Sequence, residues 1–165
     1  MNTSPAKKRV SVNKPTVGHL KSDGLAYEKD FYKWTRTQAN LLKTQEFEKL
    51  DIKHLMEEIE SLGNSEKRAL ESHIANLFLH LLKIEHQPSM RSKSWDNFVK
   101  NAKFQITKLL KANPSLKSKL SQLSEDAYFT ARLNASSETG LDENVFPIAC
   151  PWKISDLLSN FNAKA

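Results

Sequence analysis

The residues most able to do chemistry lie in and around the stretch HLLKIEHQPSMRSKSW, His80 to Trp95. An apolar helix end meets a Gln87-Pro88 stop, and then Arg91, Ser92, Lys93, Ser94 and Trp95 follow one another. His80 stands in the apolar stripe of its helix, and Asn134 and Glu138 continue the stripe of a later one. A buried polar group that finds no partner costs free energy. His80, Glu138 and Arg91 are therefore expected to approach one another, with Trp95 and Tyr128 flanking. Such a cluster is either a structural network that pins the loop or an anion pocket built on Arg91 and a helix N-terminus capped by Ser94, where backbone N–H groups favour anions. A second constellation is Asp51, His54 and Glu58, spaced so that one helix face could chelate a metal. A metal-holding bundle needs a further carboxylate–His pair on another helix. The other helices carry no His, and His19 lies in the N-terminal segment, so no metal and no cofactor are expected. Cys150, the single cysteine, precedes Pro151 with no base nearby in sequence. A nucleophile needs one, so no catalytic residue is assigned.

The elements that must position these groups are helical. There are only four Gly and no alternating β-branched runs. A first helix is predicted at about 27–44, with Tyr27, Phe31, Trp34, Leu41 and Leu42 on one face and Gln38 among them. A second spans 51–86 behind Asp51 as N-cap. Its stripe stays in phase through Gly63, the one point where it could break. From Ile74 on, apolar residues cover every side, which places this half at the centre of the fold. A third helix is predicted at 94–112, with Trp95, Phe98, Ala102, Ile106, Leu109 and Leu110 inward and Lys100, Lys103, Lys108, Lys111 and Phe104 opposite. Asn113-Pro114 stops it and opens a fourth at 114–138, with Leu116, Leu120, Leu123, Ala127, Ala131, Asn134 and Glu138 in one stripe and Gly140 as C-terminal cap. A short amphipathic helix near 154–161 follows two X-Pro bonds. The fold class read here is all-α, a single bundle of four to five helices over 25–165.

Net charge is +6, but residues 1–24 hold five of the bases against Asp23 alone and read as a disordered basic tail. Within the remainder, residues 46–71 carry eight acids and four bases, whereas 91–119 carry eight bases and only Asp96. Blocks of this kind are solvated helix faces or partner surfaces. One cysteine excludes an intramolecular disulfide, no apolar stretch follows the charges of MNTSPAKKRV, so no secretory signal is expected, and no apolar run is long enough to span a bilayer. The expectation is a soluble cytoplasmic protein with no membrane association.

Arg68 and His73 have the R-x-x-x-x-H spacing that resembles the signature of the HEPN ribonuclease superfamily, but the polar residue often following that Arg is Ala69 here. A second resemblance covers about 27–160. YEKDFYKW, LDIKHLMEEIESLGNSEKRALES, HLLKIEHQPSMRSKSW, NPSL, ETGL and FPIACPW, in that order, resemble domain of unknown function family twenty-nine, a bacterial family. The resemblance implies an all-α fold and no established activity, so no catalytic residue carries over. The family pattern has an aliphatic residue at His73 and a Ser or Thr cap at Lys153. The expected function is a non-enzymatic interaction or regulatory module whose partner is another protein. The alternative is a nucleic-acid-acting or small-ligand-binding protein, a HEPN-like ribonuclease being its enzymatic form, with a site near His80, Arg91 and Glu138. Nucleic acid would be gripped by the basic tail or by Lys100, Lys103, Lys108 and Lys111. Oligomeric state is left open by the sequence.

Overall fold

The computed structural model describes residues 24–162. The basic tail, apart from Gly24, lies outside them. Among the described residues the fold is all-α, with six helices and no strands. They are α1 (Gly24–Lys29), α2 (Phe31–Lys43), α3 (Ile52–His86), α4 (Lys93–Ala112), α5 (Leu120–Thr139) and α6 (Ile154–Asn162). No helix among these residues is long and apolar enough to cross a membrane. The chain divides between Glu57 and Glu58 into two compact units.

In the first unit, the helix expected at 27–44 is broken. Asp30 leaves helical geometry at φ −151°, and its carboxylate accepts the Lys33 N–H at 2.9 Å, so it ends α1 and caps α2. Trp34 and Gln38 are the buried residues of α2, while Phe31 and Leu42 remain half-exposed. Thr44 closes the helix, and Gln45 takes φ 60° to turn the chain toward Asp51.

Asp51 precedes α3 as expected, and its carbonyl accepts the Leu55 N–H at 3.0 Å. The helix runs 35 residues without interruption through Gly63. The roughly 1 kcal/mol that glycine costs a helix interior is absorbed here by neighbouring turns.

In the second unit the core is built on the later half of α3. Leu70, Ile74, Leu77, Phe78 and Leu82 are fully enclosed by Ala102, Ile106 and Leu110 of α4, by Leu123, Ala127 and Ala131 of α5, and by Phe146, Ile154 and Leu158. The fourth helix begins later than expected. Pro114–Lys119 forms a 3₁₀ turn, and α5 starts at Leu120. Gly140 adopts φ 71°, the left-handed geometry expected of its capping role. The stripe expected along α5 holds through Ala131 but not beyond. Tyr128, Arg132 and Ala135 are buried instead of Asn134 and Glu138. The reason is the returning segment: Leu141 and Phe146 pack on the core and cover that side of the helix.

Candidate functional site

The polar residues of the second unit form three separate arrangements. At the end of α3, His80 is 8% exposed and lies flat on Phe98 of α4, ring centroids 4.6 Å apart and planes at 4°. Burial and the nearby Lys83 ammonium push its pKa below the ordinary value, and Glu138 opposes them. His80 is thus a neutral core imidazole, and its Nδ1 has no hydrogen-bond partner. One turn on, Lys83 is the hub. Its ammonium meets Glu138 Oε2 at 2.6 Å and lies 4.7 Å from the centroid of the Trp95 ring. Beyond it, Gln87 Nε2 donates to the Thr139 carbonyl at 3.2 Å. These contacts tie the end of α3 to the end of α5 and the start of α4.

Arg91 does not join them. Its guanidinium donates to Asp96 Oδ1 at 2.7 Å on the exposed side of the first turn of α4. The anion pocket expected on Arg91 and Ser94 is corrected on two counts. Ser92, not Ser94, is the N-cap, and Ser94 is an exposed first-turn residue. Asp96 already supplies negative charge to that turn, where the helix dipole favours it. Glu138 is also corrected from core to surface, because α5 presents a different face to the core at this height. The structure therefore brings His80, Trp95 and Glu138 together around Lys83, a residue the sequence reading passed over.

Tyr128 of α5 stands apart, tied to the segment that follows the helix. Its hydroxyl donates to the Pro147 carbonyl at 2.8 Å, and its ring meets Phe78 edge-on at 5.8 Å. Burial, with the Cys150 and Glu85 charges, outweighs Arg132 and leaves its phenol pKa pushed up to about 12. One turn on, the buried Arg132 reaches Glu143 twice, its carbonyl and its carboxylate both at 3.2 Å. Cys150 donates to the Trp152 carbonyl at 3.3 Å, and burial raises its thiol pKa. A buried thiol held protonated is a poor nucleophile.

Asn134 lies on the third arrangement, an open groove of about 290 Å³ between α3 and α5. Arg68, Glu71, Ser72, Asn76 and Thr130 line it with Asn134, over Ala75. His73, the other half of the HEPN-like spacing, is not among its lining residues.

The first unit contains a cluster whose members the sequence offered for a different chemistry. Asp51 is buried, and Trp34 Nε1 donates to its Oδ2 at 3.2 Å. The Asp51 N–H donates to Gln38 Oε1 at 2.9 Å. His54 Nδ1 lies 2.7 Å from the same carboxylate oxygen, and its ring stacks on Tyr27 at 4.2 Å. Burial pushes the Asp51 carboxyl pKa up, but hydrogen bonds from His54 and Trp34 together more than offset it, so it lies below its ordinary value. An ionised Asp51 makes His54 Nδ1 the proton donor. Such a pair is half of a general-base system, which acts only on a nucleophile held within its reach. Among the described residues no group of three or more His, Cys, Asp or Glu could hold a metal. The signal that could have revealed this cluster was Gln38 in an apolar stripe one turn after Trp34.

Over residues 26–162 the chain matches the family described as Domain of unknown function DUF29, and it belongs to that family. No curated protein and no solved structure matches it.

Proposed function

We propose that this chain is a non-enzymatic interaction module that binds another protein through a helical face. One observation carries the reading: among the described residues most buried polar side chains, with exceptions such as His80 Nδ1 and Arg132 Nε, are held in internal ties, while large apolar side chains stand in solvent. His80 is neutral under Phe98, Lys83 is held by Glu138 and Trp95, Tyr128 and Arg132 are tied to Pro147 and Glu143, and the Cys150 thiol faces a carbonyl. A catalytic site keeps a reactive group unoccupied and within reach of substrate. Meanwhile Phe104, Phe129, Leu133 and Ile148 of the second unit are exposed at helix surfaces and a loop. Exposed aromatic side chains anchor protein interfaces.

The test is capture of partners from the native host by the wild-type chain and by Phe129→Glu, with both shown to be folded by circular dichroism. A protein retained by the first and lost by the second supports the reading. Equal retention by both, or none by either, overturns it.

A further inference from the structure

The exposed faces of α4 and α5 have opposite chemistry. On α4, Lys100, Phe104, Lys108 and Lys111 fall within one narrow arc at 100° per residue and are all exposed, Phe104 at 53%. Lys103 does not share that face, since it is half-buried and its pKa is lowered by burial. On α5, Glu125, Asp126, Phe129 and Leu133 share a similar arc and are exposed, Phe129 at 59% and Leu133 at 44%. Among the described residues, no ion pair occupies any of these lysines or either acid. The α4 face is an aromatic with lysines on both sides, the α5 face an aromatic with two acids before it and Leu133 after it, and each is about 12–16 Å long at 1.5 Å per residue.

We infer that these two faces dock on each other between copies, so that α4 of one copy lies along α5 of a second copy of this chain. The inference rests on the interaction reading above and names its partner. Charge complementarity selects the occupant, and the spacing selects the direction. With Phe104 set against Phe129, an antiparallel arrangement puts Lys108, four residues on, opposite Glu125, four residues back. Lys111 then lies opposite Gln122, one helical turn beyond Asp126, and the stem of Lys100 covers Leu133. A parallel arrangement would offer the two acids Lys100 alone. A single-stranded nucleic acid could use the basic face, with Phe104 stacked on a base. It would leave the acidic face, built around Phe129 and Leu133, without a partner.

The test is a charge exchange read by sedimentation of the full chain over a range of concentration and salt. The wild type is expected to associate beyond its 18.8 kDa at low salt and to dissociate as salt rises. Lys108→Glu alone and Glu125→Lys alone are each expected to weaken association more than about tenfold, because each sets like charges against each other. An equimolar mixture of the two variants is expected to associate again, since each face then meets its opposite. A wild type that sediments as a single chain throughout overturns the inference, as does a mixture no more associated than its components. A monomeric wild type that binds a single-stranded oligonucleotide through Lys108 overturns it in favour of nucleic acid. A monomeric wild type that still captures a host protein overturns it while leaving the interaction reading standing.

Discussion

Removing Glu138 is expected to expose how much the Lys83 hub contributes. The Lys83 side chain is 11% exposed and Glu138 is 46% exposed, so the pair is neither a surface bridge nor a buried one. Breaking a fully buried pair costs about 3–5 kcal/mol, because an unpaired charge stays behind, and an exposed pair is worth about 0–1 kcal/mol. Glu138→Ala leaves the Lys83 ammonium under Trp95 with only the ring for company, and an intermediate cost of about 2 kcal/mol follows. At the size of the second unit this lowers Tm by roughly 8 °C. Arg91→Ala, which removes a pair half-exposed on both sides, is expected to cost no more than about 0.5 kcal/mol. Replacing both partners, in Lys83→Met with Glu138→Ala, should recover most of the loss, since apolar side chains fill a desolvated ion-pair site well. The assay is thermal unfolding followed by circular dichroism, with all four proteins side by side. Equal shifts for Glu138→Ala and Arg91→Ala would refute the assignment of Lys83 as the hub, as would a double variant no more stable than the single.

Asp51→Ala removes the cap of α3 and leaves Trp34 Nε1 buried without an acceptor. A loss of about 2–3 kcal/mol is expected, read as lost hydrogen-exchange protection of α2, and unchanged protection would contradict it. His80 has a lowered pKa, so below its ordinary value of 6.5 the unfolded chain takes up the proton first and stability falls as pH falls. His80→Leu should flatten that part of the denaturation profile, and an unaltered slope would assign the effect elsewhere. Tyr128, with its phenol at about 12 against an ordinary 10, makes stability fall as pH rises above 10, where the unfolded chain ionises first. Tyr128→Phe should cost about 1 kcal/mol at neutral pH through the lost bond to Pro147 and should lessen the alkaline loss in urea titrations.

The all-α architecture was legible because the apolar period of α3 is long and strong, and Asp51 and Gly140 mark its start and the end of α5 in the expected ways. What failed was local. Asp30 reads as one more polar residue of a continuous helix, yet its carboxylate caps α2 and breaks the helix before it. The stripe of α5 named Asn134 and Glu138 as inward because a helical wheel assumes one partner surface. The Leu141–Phe146 return supplies a second surface and turns Arg132 and Ala135 inward. His80 was legible as a core residue, since apolar neighbours surround it in sequence. Lys83 was not, because a lysine inside an apolar run reads as an interruption until the ring of Trp95 and the carboxylate of Glu138 close over it. Arg91 was drawn to the cluster by proximity in sequence, and Asp96, five residues on, holds it outside.

The internal ties hold the fold, and the exposed face around Phe129 does the binding. Partner capture measured in parallel with Glu138→Ala and Phe129→Glu, below the Tm of both, tests it most directly. The expected result is that Glu138→Ala unfolds earlier but captures its partner as the wild type does, while Phe129→Glu keeps its stability and loses the partner. Loss of capture in folded Glu138→Ala, with capture intact in Phe129→Glu, would place the function in the polar cluster and contradict the account.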